Sequence, residues 1–231
     1  MFTSLQVDWL YLAIALALLW FPRQWMRTGR AVLKRRRKPD GALERLAGMG
    51  ARDPDDRSVQ PGKEFRNFRN YLDLFRALAG GYCLVNFAFA PVDGDTATAA
   101  FVIEALVLLV AVLVQSVRWE NRLGFFAALF FLLGQTVGTC GVTSVAEPVT
   151  FGHAAGLFAF SLVLAINPVI PNPRWFLTAF GLLLFPFGFV LGGSMRLVSV
   201  NALLILLPPL LSLLTKRPVV IFSRKARSHS S

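Results

Sequence analysis

Seven apolar blocks run along the chain, each bounded by polar or basic residues: Leu5 to Phe21, Tyr71 to Ala90, Ala99 to Val117, Leu123 to Cys140, His153 to Ile170, Trp175 to Leu191 and Leu197 to Leu214. At ~1.5 Å per residue, a block of about 20 residues matches the ~30 Å hydrocarbon core of a bilayer as a helix. Each block is therefore expected to cross a membrane. The first is short, but Trp9 and Tyr11 at one end and Trp20 and Trp25 at the other have the placement of two interfacial belts. Pro186 and the pair Pro208 and Pro209 are expected to bend the last two helices. Before the second block, Phe65, Phe68, Leu72 and Phe75 recur at steps of three and four with Arg66, Arg69 and Arg76 among them. That pattern predicts an interfacial helix running into the second span.

Composition supports the same class. With 55% hydrophobic and 13% aromatic residues and a mean hydropathy of +0.56, one soluble domain of this length would expose large apolar patches. The expected fold is an all-α polytopic transmembrane bundle of about seven spans.

Charge then orients it. Of the 24 Lys and Arg residues, fourteen fall between Arg23 and Arg69, and the inner turns and the tail carry all the rest except Arg76 and Arg196. The positive-inside bias puts those connections in the cytoplasm, hence the N-terminus outside and the C-terminus inside. Four parts follow: a first transmembrane helix (1–22), a basic cytoplasmic loop with the interfacial helix (23–69), a six-span bundle (70–215) and a basic tail (216–231). In a soluble protein a net charge of +11 would suggest nucleic acid. Here it sits between apolar blocks, so the expected partner is a bilayer with anionic headgroups, met by Arg35, Arg36, Arg37 and Lys38, and not nucleic acid. The chain contains no Asn-x-Ser/Thr glycosylation site, which favours a bacterial inner membrane.

Small residues suggest helix contacts. Gly134 with Gly138, Gly152 with Gly156, and Gly188 with Gly192 have the four-residue spacing that lets backbones approach. Asp73 and Arg76, one turn apart, are expected to neutralise each other inside the second span.

Little cofactor chemistry is on display. Two cysteines without a CxxC motif and two histidines provide no framework for a structural metal site, and no cofactor is expected. Retinal would require a lysine in the last span, which has none, and haem held by two histidines would require more than His153 outside the tail.

The remaining polar groups gather toward the expected outer face. Glu104, Gln135, Thr139 and Asn201 form a candidate polar pocket, with Cys140, His153 and Arg196 near its rim. The leading expectation is a scaffold or accessory subunit of a membrane complex with a membrane protein partner. A second reading is a proton- or cation-coupled small transporter using Glu104. A third is a membrane-embedded cysteine peptidase or transpeptidase: Cys140 as nucleophile, His153 as its base and Arg196 as oxyanion partner make a set of residue types that resembles that of the exosortases. That family presents Cys, Arg and His in chain order, whereas this chain has Cys140, His153 and Arg196.

Overall fold

The computed structural model describes residues 5–22, 59–92, 94–119, 123–140, 151–169 and 172–221. The run containing Arg35, Arg36, Arg37 and Lys38 lies outside the described residues. The protein is mostly helical, and each of the seven apolar blocks contains a helix. These are α1 (Trp9–Trp20), α3 (Phe68–Phe87), α4 (Gly94–Ser116), α5 (Leu129–Cys140), α6 (Gly152–Ile166), α7 (Pro173–Val190) and α8 (Met195–Leu214). A one-turn helix, α2 (Pro61–Phe65), precedes α3. Three of the helices, α4, α7 and α8, are long and apolar enough to cross a membrane.

Local chemistry starts and stops these elements. The Asp8 carboxylate accepts from the backbone N–H groups of Leu10 (3.0 Å) and Tyr11 (3.3 Å), capping α1. Asn67 caps α3 through the Arg69 N–H, and Asn172 caps α7 through the Arg174 N–H, with Pro173 opening the helix. At the other end of α7 the chain closes a Schellman turn. Gly193 N–H donates to Gly188 O at 2.9 Å and Gly192 to Phe189 O at 3.4 Å, with Gly192 at φ 70°. Gly192 thus makes a turn and Gly188 alone makes the helix contact, against Val198, which corrects the expectation that the two glycines act as a packing pair. Helix α8 ends in the same motif, with Lys216 at φ 54° in the left-handed position.

The fourth block corrects the sequence expectation most clearly. Its first part, Leu123–Phe126, is a strand (β4), and the helix begins only at Leu129. It pairs antiparallel with β3 (Val117–Trp119) and parallel with β5 (Val219–Val220), so the end of α4, the start of α5 and the chain after α8 meet in one three-stranded sheet. Extended backbone inside an apolar bundle is tolerated because strand partners satisfy its N–H and C=O groups. Ala127 N–H continues the pattern with a 2.9 Å bond to Val220 O. At the opposite end of the bundle, β1 (Gln6–Val7) pairs antiparallel with β2 (Phe89–Ala90), so the second block also ends as strand.

Helix α5 is the centre of the molecule. Every residue from Leu129 to Cys140 is buried except Val137. It runs parallel to α3 at backbone contact: a Cβ on Gly134 would overlap the Leu74 carbonyl oxygen, and one on Gly138 the Leu78 carbonyl oxygen. Gly156 of α6 meets Thr136 on another face. The expected close approach at Gly134, Gly138, Gly152 and Gly156 is therefore present, and it serves contacts within the chain. A run of aromatic rings ties the helices together laterally: Phe65 and Tyr71 stand edge-on to Phe130, and Phe130 leads through Phe160 to Phe176 and Phe180.

Candidate functional site

Among the buried polar groups of the described residues, two clusters join helices, one toward each end of the bundle. The first is built where α1 stops. The last carbonyls of a helix have no partner within it and carry its negative dipole end. Here Arg76 of α3 donates Nη1 to the carbonyls of Leu18 (3.4 Å) and Phe21, while Gln115 of α4 donates to Leu19 O (3.3 Å) and Phe21 O (2.9 Å). Arg76 Nε is bonded at 2.9 Å to Asp73, which is 1% exposed, and its guanidinium lies 5.3 Å from the centre of the Phe131 ring. The expected Asp73 and Arg76 pair is therefore present, with an added role: it clamps the end of α1 onto α3 and α4. Trp20 reinforces the joint by donating its indole N–H to Val107 O at 3.0 Å.

The second centre joins α5 to α8. Asn201 donates Nδ2 to Thr139 Oγ1 (2.7 Å) and to Leu197 O (2.8 Å), and the same nitrogen lies 3.8 Å from Cys140 Sγ. Its Oδ1 accepts from Gln135 Nε2 at 3.3 Å, and the Thr139 hydroxyl donates to Gln135 O at 2.8 Å. The carbonyl of Leu197 can only accept, which fixes the orientation of the Asn201 amide. Gln135 must then present its nitrogen to Asn201, and its Oε1 is left buried with no hydrogen-bond partner among the described residues. Three of the four pocket residues expected from the sequence, Gln135, Thr139 and Asn201, form one hydrogen-bonded cluster. The fourth, Glu104, is buried at 8% exposure in α4 and makes no hydrogen bond or ion pair among the described residues.

The rim residues behave differently from one another. A Cβ on Gly152 would press against the Cys140 carbonyl and lie 2.6 Å from Gly193 Cα, so the end of α5, the start of α6 and the turn between α7 and α8 touch through their backbones. The segments that carry Cys140, His153 and Arg196 thus meet at one end of the bundle. Their side chains do not share a site. The Cys140 thiol is 0% exposed and faces the Asn201 amide, whereas His153 stands exposed beside the Phe151 ring and Arg196 is exposed on the first turn of α8. Among the described residues no group of three His, Cys, Asp or Glu side chains could hold a metal ion.

The sequence reading missed the clamp at Phe21. Its signal was present as Gln115, a lone amide in an apolar helix, and the polar residue at that depth had to serve some backbone group. Comparisons with protein-family models, with curated proteins and with solved structures return no match.

Proposed function

We propose that this protein is a multi-pass membrane scaffold or accessory subunit, and that its interior polar groups hold helices together while its exterior receives a membrane protein partner. One observation carries this reading: the Asn201 amide of α8 is bonded to Gln135, Thr139 and Cys140 of α5, so these groups serve the joint between the two helices. A nucleophilic thiol has to be reachable by substrate, and Cys140 is enclosed. Three helices suited to a bilayer support a membrane location. We extend this to seven crossings. The shorter α1 and α6 and the polar start of α3 would be completed by their flanks, and the fourth crossing would combine strand β4 with helix α5. The charge asymmetry supports an N-terminus outside and a C-terminus in the cytoplasm of a bacterial inner membrane. The run Arg35 to Lys38 then meets anionic headgroups.

The test is isolation from native membranes in polymer nanodiscs. One membrane protein should accompany the chain at fixed stoichiometry and remain with the Cys140→Ser variant. Isolation of the chain alone, or a substrate thioester on Cys140 that disappears in that variant, overturns the reading.

A further inference from the structure

Among the described residues, Glu104 is the one buried carboxyl without a hydrogen bond or ion pair. It sits near the middle of the 23-residue helix α4 on the same face as Ala100, Val107, Leu108 and Ala111, all of them buried. Helix α4 packs on α1, α3, α8 and the strands β3 and β4, and the charges on these elements can be followed one by one. Helix α1 has no charged residue. Helix α3 carries Arg69, Asp73 and Arg76 near its start and no Asp, Glu, Lys or Arg from Ala77 to Phe87, where its titratable groups are Tyr82 and Cys83. Helix α8 carries only Arg196, exposed on its first turn. Strand β4 has no charge, and Arg118 of β3 follows the far end of α4. On α4 itself the other ionisable group is Asp95, exposed in the first turn.

Arg76 is the nearest buried cation by sequence, and geometry removes it. It shares the Phe21 carbonyl with Gln115. Gln115 is three turns along α4 from Glu104, a separation of roughly 16 Å at the helical rise. Arg76 is also already engaged by Asp73 and by the end of α1.

A bare carboxylate held in an apolar bundle costs several kcal/mol, and a buried acid in a membrane-spanning helix is expected to have a partner. Among the described residues no Lys or Arg forms an ion pair with it. We propose that Glu104 is a proton-binding site, taking up a proton on its carboxylate and exchanging it with the surroundings. This goes beyond the scaffold reading and does not depend on it.

The experiment is labelling of the full-length protein in liposomes with a hydrophobic carbodiimide, to whose central carbon a protonated carboxyl in an apolar setting adds its oxygen as its proton passes to the carbodiimide nitrogen. Peptide mass spectrometry locates the adduct. The expected result is an adduct on Glu104, absent from Glu104→Gln. On the alkaline side of its titration, labelling should fall about tenfold for each unit of pH rise. Labelling at fixed pH should be indifferent to sodium, and protection by sodium overturns the assignment to a proton. Labelling confined to Asp8, Asp95 or Glu64, with Glu104 unmodified at every pH, overturns the proposal. Because the adduct is mapped on the native chain, a Glu104→Gln variant that fails to fold does not remove the test.

Discussion

Asn201 Nδ2 donates to Thr139 Oγ1 at 2.7 Å, and this bond, between residues buried to 1% and 0% exposure, fastens α8 to the central helix α5. It is the hub of a cluster in which each amide orientation follows from the next. Asn201→Ala would leave Gln135 Nε2 without its acceptor and remove the donor to Thr139 Oγ1, whose hydroxyl keeps its bond to Gln135 O. A double-mutant cycle of Asn201→Ala with Thr139→Ala should give a coupling of about 0.6 to 1.7 kcal/mol, the range for interhelical hydrogen bonds in membranes. Reversible unfolding in mixed micelles measures it, and additive losses would show that the bond contributes nothing.

The helix contact between α3 and α5 leaves no room for a methyl group. Gly134→Ala and Gly138→Ala should each destabilise by about 1 to 3 kcal/mol, because the obstacle is the backbone carbonyl of Leu74 or Leu78 and cannot swing aside. Gly62→Ala, where a Cβ meets nothing within 4 Å, serves as the control and should leave the unfolding midpoint nearly unchanged.

Arg76 acts on two partners at once, so its loss should exceed that of a surface ion pair. Arg76→Met removes the cation beside buried Asp73 and one of the two donors at the end of α1, and should cost about 3 to 5 kcal/mol. Replacing both, as Asp73→Asn with Arg76→Met, should recover part of that loss. Lys at position 76 should not substitute, since the guanidinium spans the carboxylate with Nε and the carbonyls with Nη1. Thermal unfolding of the three variants ranks them.

Lys216 occupies a left-handed position that glycine fills without strain. Lys216→Gly should stabilise by about 0.5 to 1 kcal/mol, provided that the turn bonds Lys216 N–H to Leu213 O and Arg217 N–H to Ser212 O persist. A lowered unfolding midpoint would show that the Lys216 side chain makes a compensating contact.

The two thiols should separate by exposure. Cys83 is partly exposed and Cys140 fully buried. A small maleimide should therefore label Cys83 in the folded protein and reach Cys140 only after denaturation. Fast labelling of Cys140 in the native state would revive its reading as a nucleophile.

Much of this architecture is legible in the residue pattern. Every apolar block holds a helix, the Asp73 and Arg76 pair forms one turn apart, and Gln135, Thr139 and Asn201 do converge. The strand at Leu123–Phe126 was not legible. Leucine, glycine and phenylalanine in a short apolar run suit a helix or a buried strand equally, and the choice falls to pairing with Val117–Trp119 and with Val219–Val220, the latter far along the chain. Cys140, His153 and Arg196 illustrate the other gap. Their segments meet, as their positions at the ends of apolar blocks suggested, but where each side chain points depends on the rotation of its helix against its neighbours.

The sequence by itself determined which segments leave water and which side chains are too polar to be left alone there, because transfer free energy is a property of each residue and of its near neighbours. The tertiary structure alone decided how those demands are met: Arg76 and Gln115 on the end of α1, Asn201 on Thr139, a strand where a helix was expected, and Glu104 without an ion pair among the described residues. Such pairings depend on register and rotation between elements distant in the chain, and packing of the whole bundle sets these.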